Sequence, residues 1–254
     1  MSNKFYLLPR MTFGTDLASA LIDKYGAANV ILHYIDDMQV IFECSAISNK
    51  VIRIYKEQLY YNTSEYFDRL NCTYGDAYSI GTTITNVVQF CGNTRSGSSI
   101  DTTAYIDNAD LVLGDNFMLV CFPTNRPQMC LIGIATNNMP FCIGWNCEAG
   151  YNWGRALPTD GVTRGEIEFP VQPFPYYDNG KYVIQPILMI ISGGILKNQD
   201  GTFATIDGIY NVAHNVRVAT DKVYISPVNW YNNANQNAYA QLPTALFCPI
   251  ETPV

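Results

Sequence analysis

Closely spaced turn signals in residues 180–227 restrict this chain to a small set of folds. Two Asp-Gly pairs, Asp200-Gly201 and Asp207-Gly208, lie in this stretch. Asp-Gly is a strong hairpin signal, because aspartate tolerates turn geometry and glycine reaches positive φ without strain. Residues 216–218 and 223–225 alternate as half-buried strands do. Strands this short, joined by turns this close, predict a meander of four strands and hence an antiparallel sheet.

The apolar run from Tyr182 to Ile191 opens this stretch. It is too short for a membrane-spanning helix, which needs about 20 residues, and Pro186 interrupts it. Because proline has no backbone N–H to give to a ladder, the run predicts a strand that has Pro186 at a sheet edge or a bulge. We therefore expect no membrane partner.

The whole chain predicts a mainly β (α+β) fold: an antiparallel β-sandwich or barrel-like set of sheets, with one or two short N-terminal helices. Its 254 residues suffice for one large domain, and residues 1–254 are interpreted as one. Charged residues are absent between Asp76 and Arg95, so an alternative separates an N-terminal α/β subdomain, 1–75, from a β-rich body, 76–254. No Pro/Gly-rich linker marks that boundary.

The N-terminal residues predict a strand over 4–8 and a helix over 16–25. Gly14 or Thr15 would cap this helix, and Gly26 would end it. The helix face predicted to cover the core consists of Leu17, Leu21, Ile22 and Tyr25.

Residues 30–35 and 38–43 predict a hairpin. Residues 51–55 alternate like a strand, but residues 49–60 fit a helix equally well. The start of the segment 63–70 is typical of a second short helix.

Four further strands are predicted in the middle of the chain. Residues 82–88 are β-prone, and residues 111–113 form a short apolar strand before a turn. Residues 117–122 are apolar at every position, and residues 130–134 return after a turn to complete a hairpin.

The net charge argues against two classes of partner, nucleic acids and anionic membrane surfaces. The formal net charge is -7, and only 15% of the residues are charged, against about 25% in a typical protein. Nucleic-acid binding needs clustered Lys and Arg, and an anionic membrane surface repels an acidic chain. The remaining polar residues are mostly uncharged, which favours contact with protein subunits or with sugars.

Aromatic and amide side chains are concentrated after residue 227. Such side chains bind sugars by stacking and hydrogen bonding, and they also form subunit interfaces. Both interpretations stay open, with the interface favoured. The predicted binding residues are Asn229, Trp230, Tyr231, Asn233 and Tyr239.

No catalytic constellation is recognisable. The two histidines are His33, expected to pack inside an apolar strand, and His214, in a bend. Neither has a nucleophile context, and phosphate-loop and zinc-protease motifs are absent. We expect the protein not to be an enzyme, with no catalytic residues, no metal ligands and no cofactors.

The pair Asp36-Asp37 predicts a turn. Glu166 and Glu168 share one strand face and could serve glycoside hydrolysis, although a solvated face is the commoner meaning.

The eight cysteines match no zinc spacing. Buried free thiols are the favoured interpretation, and disulfides are the alternative. The cysteines are Cys44, Cys72, Cys91, Cys121, Cys130, Cys142, Cys147 and Cys248.

Residues 207–212, followed by Asn215-Val216 and 223–225, resemble the C-terminal strand block of tailed-bacteriophage virion structural proteins. The resemblance covers about residues 180–227. It implies a structural subunit of the tail, baseplate, neck or capsid surface, whose partners are itself and other virion proteins. It transfers no active residues.

The N-terminal apolar run, residues 5–8, is too short for the hydrophobic region of a signal peptide. We therefore expect synthesis in the host cytoplasm, and the resemblance implies localisation in the virion. The alternative functions are a carbohydrate- or receptor-binding β-sandwich module and, more weakly, a hydrolase.

Overall fold

The computed structural model describes residues 3–62, 65–91, 107–122, 128–134, 138 and 140–146, and beyond these the backbone of short strands between 165 and 250. Side chains are described for residues 3–58, 68–87, 107–122, 130–134 and 138.

One helix and two large sheets make up the N-terminal part of the described chain. The helix α1 spans Phe13–Tyr25 and follows one turn of 3₁₀ helix, Arg10–Thr12. The strands are β1 (Lys4–Pro9), β2 (Val30–Asp36), β3 (Gln39–Cys44), β4 (Val51–Asn62), β5 (Glu65–Gly75), β6 (Ala77–Tyr78), β7 (Ile84–Thr85), β8 (Val88–Cys91), β9 (Asn108–Leu113), β10 (Phe117–Phe122), β11 (Gln128–Ile134) and β12 (Pro140–Asn146).

Two five-stranded sheets face each other in a β-sandwich-like arrangement. The first has the order β1-β9-β10-β11-β12 and the second β2-β3-β4-β5-β8, and neighbouring strands are antiparallel throughout. The predicted mainly β, antiparallel fold class is confirmed, with one short N-terminal helix.

Helix α1 fills the space between the two sheets at one end. It contacts β1 and β9 on one side and β2, β3 and β4 on the other, whereas β5 and β8 meet the first sheet directly. The shared core comes from both sheets and the helix, and includes Leu8, Phe13, Leu17, Leu21, Phe42, Ile54, Leu70, Leu111, Val120, Phe122 and Ile132. This core joins residues on both sides of position 75. The division of the chain into domains stays a prediction.

The helix starts earlier than the sequence predicted, and Gly14 has a different role from a cap. Gly14 lies inside α1, and its N–H donates to the carbonyl oxygen of Asp37 at 3.1 Å. A Cβ atom at this position would lie 2.3 Å from the carbonyl oxygen of Asp36 and 2.5 Å from the amide nitrogen of Gln39. Only glycine lets the helix approach the β2–β3 turn this closely.

The helix C-terminus follows the prediction. Gly26 adopts φ +83°, and its N–H donates to the carbonyl oxygen of Ile22 at 2.8 Å, so glycine ends the helix where a side chain would be strained. The buried face differs from the predicted one. Ile22 is exposed, and Phe13, which was not part of the predicted face, is fully buried together with Leu17 and Leu21.

Strand β10 is buried on both of its faces. All six of its residues are buried, and alternate side chains such as Leu119 and Val120 point to opposite faces of the sheet. This matches its fully apolar sequence, since a strand covered on both faces has no position at which a polar residue is favoured.

The predicted helix over 63–70 is wrong. Its described part, residues 65–70, belongs to β5, which pairs with β4 in antiparallel register from Glu65 opposite Asn62 to Gly75 opposite Val51. The local signal resembled a helix start, but pairing along the whole of β4 satisfies the backbone groups of both strands. The same pairing decides the ambiguous segment 51–55 in favour of a strand.

The strands between 165 and 250 are short. They are β13 (Gly165–Glu168), β14 (Tyr177–Asp178), β15 (Lys181–Tyr182), β16 (Gln185–Pro186), β17 (Leu188–Ile191), β18 (Gly194–Ile195), β19 (Ala204–Thr205), β20 (Arg217–Ala219), β21 (Val223–Ile225) and β22 (Leu246–Ile250). Pro186 lies in β16, an edge strand of the sheet β16-β19-β22-β21-β20, so its predicted edge position is confirmed. The predicted single strand over residues 182–191 is wrong, because β15, β16 and β17 belong to three different sheets.

The hairpin of β20 and β21 is confirmed, and the pairing is antiparallel. The predicted four-strand meander is wrong in its order, because β22 lies between β19 and β21. Strand β22 pairs with β19 although it lies about 40 residues further along the sequence. Turn signals between consecutive strands do not reveal such a pairing.

Four cysteines are buried thiols that form no disulfide, in agreement with the favoured interpretation: Cys44, Cys72, Cys121 and Cys130. Burial raises the pKa of the Cys44 thiol, which keeps it protonated and unreactive at neutral pH. The other four thiols lie outside the residues whose side chains are described. Within the described residues, no helix is both long and apolar enough to cross a membrane.

Tyr25 ties the end of α1 to the turn between β9 and β10. Its hydroxyl lies 2.8 Å from the carbonyl oxygen of Gly114 and 2.9 Å from that of Phe117. Removal of the hydroxyl from water, followed by the nearby Cys44, Asp115 and Tyr6, raises the pKa of Tyr25 well above its ordinary value of 10.0.

We expect Tyr25→Phe to lower the free energy of unfolding by about 1–2 kcal/mol at neutral pH, the value of a buried hydrogen bond. Above about pH 10 the unfolded chain loses the Tyr25 proton and the folded chain keeps it, so the wild-type protein loses stability with rising pH. The free energy of unfolding of the Tyr25→Phe protein, measured by urea unfolding, should fall less over that pH range. An equal fall for the two proteins would contradict this role.

Candidate interaction surface

The candidate interaction surface is the outer face of the sheet β2-β3-β4-β5-β8, on the side away from α1. The inner face presents Phe42, Ile52 and Ile54 to the shared core. Because side chains alternate along a strand, the outer face carries the residues between them. These residues include Tyr34, Gln39, Ile41, Glu43, Val51, Arg53, Tyr55 and Glu57.

A small apolar cluster covers one part of the outer face. Ile41 and Val51 pack with Ile84 from β7, and the rings of Tyr34 and Tyr78 flank them. The β6–β7 hairpin therefore lies over this part of the sheet. Ion pairing of Lys50 with Asp76 and a hydrogen bond from Asn86 to Asp76 fix the base of the hairpin.

His33 lies at a β-bulge, where the register between β2 and β3 shifts between Leu32 and Tyr34. Its Nε2 atom is 2.7 Å from Oε1 of Glu43, and its ring stacks on Tyr78 with centroids 4.6 Å apart. His33 is partly buried and packed, as predicted, but its partners are polar and aromatic. The bulge was not visible in the sequence.

Five side chains form a connected row on the outer face, which we call the polar ladder: Tyr34, Asp36, Gln39, Arg53 and Tyr55. The Gln39 amide Nε2 donates to Oδ2 of Asp36 at 2.8 Å, and its Oε1 accepts from Nε of Arg53 at 2.9 Å. The guanidinium carbon of Arg53 lies 4.1 Å from the ring centroid of Tyr55, a distance typical of cation–π stacking. Each member of the polar ladder is half-buried.

Asp36 anchors the polar ladder. Its Oδ1 accepts the backbone N–H of Met38 at 2.8 Å and that of Gln39 at 3.0 Å, which confirms the predicted turn at Asp36-Asp37. Burial by itself raises the pKa of Asp36, but the hydrogen bonds from Gln39, Met38 and Tyr34 outweigh it and lower the pKa. Asp36 is therefore an acceptor that holds Gln39 in one orientation at neutral pH.

The edge of the same sheet exposes apolar side chains. Strand β2 is the terminal strand in the sheet order, and its Ile31 and Ile35 are 56% and 41% exposed. Met38, in the turn after β2, is also exposed. Ile31 pairs with Glu43 on the outer face and Ile35 with Val40 on the inner face, so the two isoleucines flank the edge on opposite sides.

A second cluster of charges lies at the rim of the core. Asp68 is fully buried and accepts from Nε and Nη2 of Arg10 at 2.7 and 3.3 Å, while Nζ of Lys56 lies 3.5 Å away. The Lys56 side chain is only 3% exposed. Burial lowers the pKa of Lys56, although Asp68 acts in the opposite direction. This trio joins the turn after β1 to strands β4 and β5, which makes it a structural element.

The binding residues predicted from the sequence, Asn229, Trp230, Tyr231, Asn233 and Tyr239, lie outside the described residues, and so does His214. Glu166 and Glu168 lie two residues apart in β13, which pairs with β17, and their side chains lie outside the described ones. Among the side chains that are described, no three His, Cys, Asp or Glu residues are grouped as a metal site would require.

The polar ladder was not predicted from the sequence. Its residues come from three neighbouring strands, and Gln39, Arg53 and Tyr55 become neighbours only when β3 pairs with β4. A usable signal existed in Arg53 and Tyr55, which stand two residues apart and so share a strand face. It could not be used while residues 49–60 fitted a helix equally well.

No protein-family model matches this sequence, and neither a curated protein nor a solved structure matches it.

Proposed function

We propose that this protein is a structural subunit of a bacteriophage virion and that it acts by packing against copies of itself or other particle proteins. The observation that carries the packing proposal is the apolar edge of the sheet. Ile31 and Ile35 are both exposed on β2, beside the exposed Met38. Large aliphatic side chains left in water on a sheet edge are favourable to bury against a neighbour.

The bulge at His33 defines how such a neighbour would contact the edge. A bulge interrupts the regular spacing of backbone groups, and proteins use it to prevent unwanted strand addition. The neighbour would therefore bury the isoleucine side chains and the adjoining outer face, without continuing the β ladder.

The assignment to a phage particle has a separate basis. It rests on the resemblance of residues 180–227 to tailed-bacteriophage virion structural proteins. A low charge content of 15% supports it, because the centres of subunit interfaces are depleted of charged residues. The tail, baseplate, neck and capsid surface are the candidate positions, and the virion is the proposed location.

We expect the purified protein to elute as an assembly larger than one chain, as measured by size-exclusion chromatography with light scattering. The double substitution Ile31→Lys with Ile35→Lys should weaken this assembly at least tenfold. Each isoleucine would lose about 1.5–3 kcal/mol of burial, and two ammonium groups would have to be desolvated.

Ile22→Lys is the matched control, because Ile22 is also exposed but lies on α1. This variant should assemble like the wild type, and thermal melts should show that all variants are folded. A wild-type protein that stays monomeric at every concentration and binds no other particle protein would contradict the proposal.

A further inference from the structure

We infer that Arg53 is a docking point for a carboxylate of a second copy of this chain. The inference rests on the proposed function and adds a specific contact to it. Arg53 lies on the outer face of the sheet, in β4, two strands in from the exposed edge. It is held by contacts that fix its orientation and leave one side of its guanidinium group open.

Two contacts fix the guanidinium group. Nε donates to Oε1 of Gln39 at 2.9 Å, and Gln39 is in turn held by Oδ2 of Asp36 at 2.8 Å. The plane of the group is supported by the Tyr55 ring, 4.1 Å from the guanidinium carbon. An arginine that is held in this way loses little further side-chain entropy when it binds a partner.

The open side of the group is its far end. Within the described part of the chain, neither Nη1 nor Nη2 of Arg53 has a hydrogen-bond or ion-pair partner. Because Nε already donates to Gln39, it cannot join an Nη group in a side-on pair of donors. The end-on pair, Nη1 and Nη2, remains available. Two parallel N–H groups match the two oxygens of a carboxylate.

The neighbouring aromatic rings argue against a sugar as the occupant. One face of Tyr55 is covered by Arg53, and His33 stacks on Tyr78. Sugar binding relies on an open aromatic face. The groups of the polar ladder that lack a partner among the described residues are instead the charged Nη donors of Arg53. The chemistry that fits them is a carboxylate.

A second copy is the natural source of that carboxylate. The chain carries 22 acidic residues against 15 lysines and arginines, so contact between an acidic side chain and a cation offsets the mutual repulsion of two copies. An arginine with an open end on an acidic protein supplies that attraction and selects one orientation of packing.

The test measures self-association by sedimentation equilibrium for the wild type, Arg53→Gln, Arg53→Lys and Arg69→Gln. Arg69→Gln is the matched control, because it removes the same charge from the same sheet face but Arg69 already pairs with Glu57 of its own chain. Arg53→Gln should weaken association about tenfold or more, as expected for a bidentate charged hydrogen bond. Arg53→Lys should not restore it, because an ammonium group cannot form the two parallel bonds.

Salt provides a second measurement. Raising NaCl from about 0.05 M to about 0.5 M should weaken association of the wild type more than that of Arg53→Gln. If the protein assembles but Arg53→Gln and Arg69→Gln behave alike, the inference is overturned while the packing function stands. A wild type that is monomeric throughout would overturn the inference and the self-packing part of the proposed function together.

Discussion

Phe122→Ala should lower the free energy of unfolding by about 3–5 kcal/mol, the largest effect expected of a single core truncation. The Phe122 side chain is fully buried at the end of β10. Its ring meets that of Phe13 edge to face, with centroids 5.4 Å apart and an interplanar angle of 84°. Because Phe13 lies at the start of α1, this pair joins the helix to the first sheet, and its loss leaves a cavity at that junction.

Urea unfolding followed by circular dichroism measures this change. Leu7→Ala is the control, because Leu7 lies on β1 of the same sheet but is 48% exposed, and surface substitutions usually change stability by less than about 0.5 kcal/mol. A double-mutant cycle with Phe13→Leu should give a coupling of about 0.5–1.5 kcal/mol for the ring pair. If Phe122→Ala and Leu7→Ala cost the same, the shared core is not packed as described.

Asp68→Asn should also cost about 3–5 kcal/mol, because it removes the carboxylate that the buried Lys56 ammonium faces. Arg10 and Lys56 both contact the Asp68 carboxylate, and the Lys56 side chain is almost fully buried. The amide of asparagine keeps the size of the carboxylate and one acceptor oxygen. The expected loss is therefore electrostatic, and no cavity is created.

The pH dependence separates this electrostatic effect from a packing defect. Burial lowers the pKa of Lys56 below its ordinary value of 10.5, and Asp68→Asn removes the carboxylate that opposes this shift. Burying the charged Lys56 ammonium costs stability in full at any pH below the pKa of Lys56 in the folded protein. This cost is relieved as the pH rises from that pKa towards the ordinary value of 10.5. The Asp68→Asn protein should therefore regain part of its stability between neutral pH and that value.

Two further variants complete the comparison. Lys56→Met added to Asp68→Asn should restore part of the stability at neutral pH, because it removes the buried ammonium that faced the Asp68 carboxylate. Asp23→Asn is the surface control, since Asp23 bonds Lys4 and Tyr6 in an exposed position, and it should cost several times less. An Asp68→Asn protein as stable as Asp23→Asn would show that the trio of charges contributes nothing.

Several elements of the fold could be predicted from the sequence because the signals are local. The strand β1, the helix α1 with Gly26 at its end, and the β2–β3 hairpin around Asp36 are each specified within about a dozen residues by periodicity and turn chemistry. The apolar run of β10 indicated its burial for the same reason. Local sequence fixes which backbone conformation a segment prefers and which of its faces avoids water.

The tertiary structure decided what depends on residues far apart in the chain. Residues 65–70 became part of a strand because β4 offered partners for their backbone groups, against a local signal for a helix. Gly14 proved to be a contact point between helix and turn, and Arg10 found its carboxylate on Asp68, 58 residues away.

The polar ladder also depends on residues that are far apart in the chain. Its five side chains are an aspartate, a glutamine, an arginine and two tyrosines, and none of them is unusual in its local sequence. Pairing of β2, β3 and β4 brings them into one connected row, which positions Arg53 for its proposed role. The sequence by itself therefore determined a mainly β, antiparallel chain with the N-terminal helix α1, since alternation and turns are properties of neighbouring residues. Strand order, the shared core and the interaction surface were decided by tertiary structure, because long-range pairing and burial depend on the whole fold.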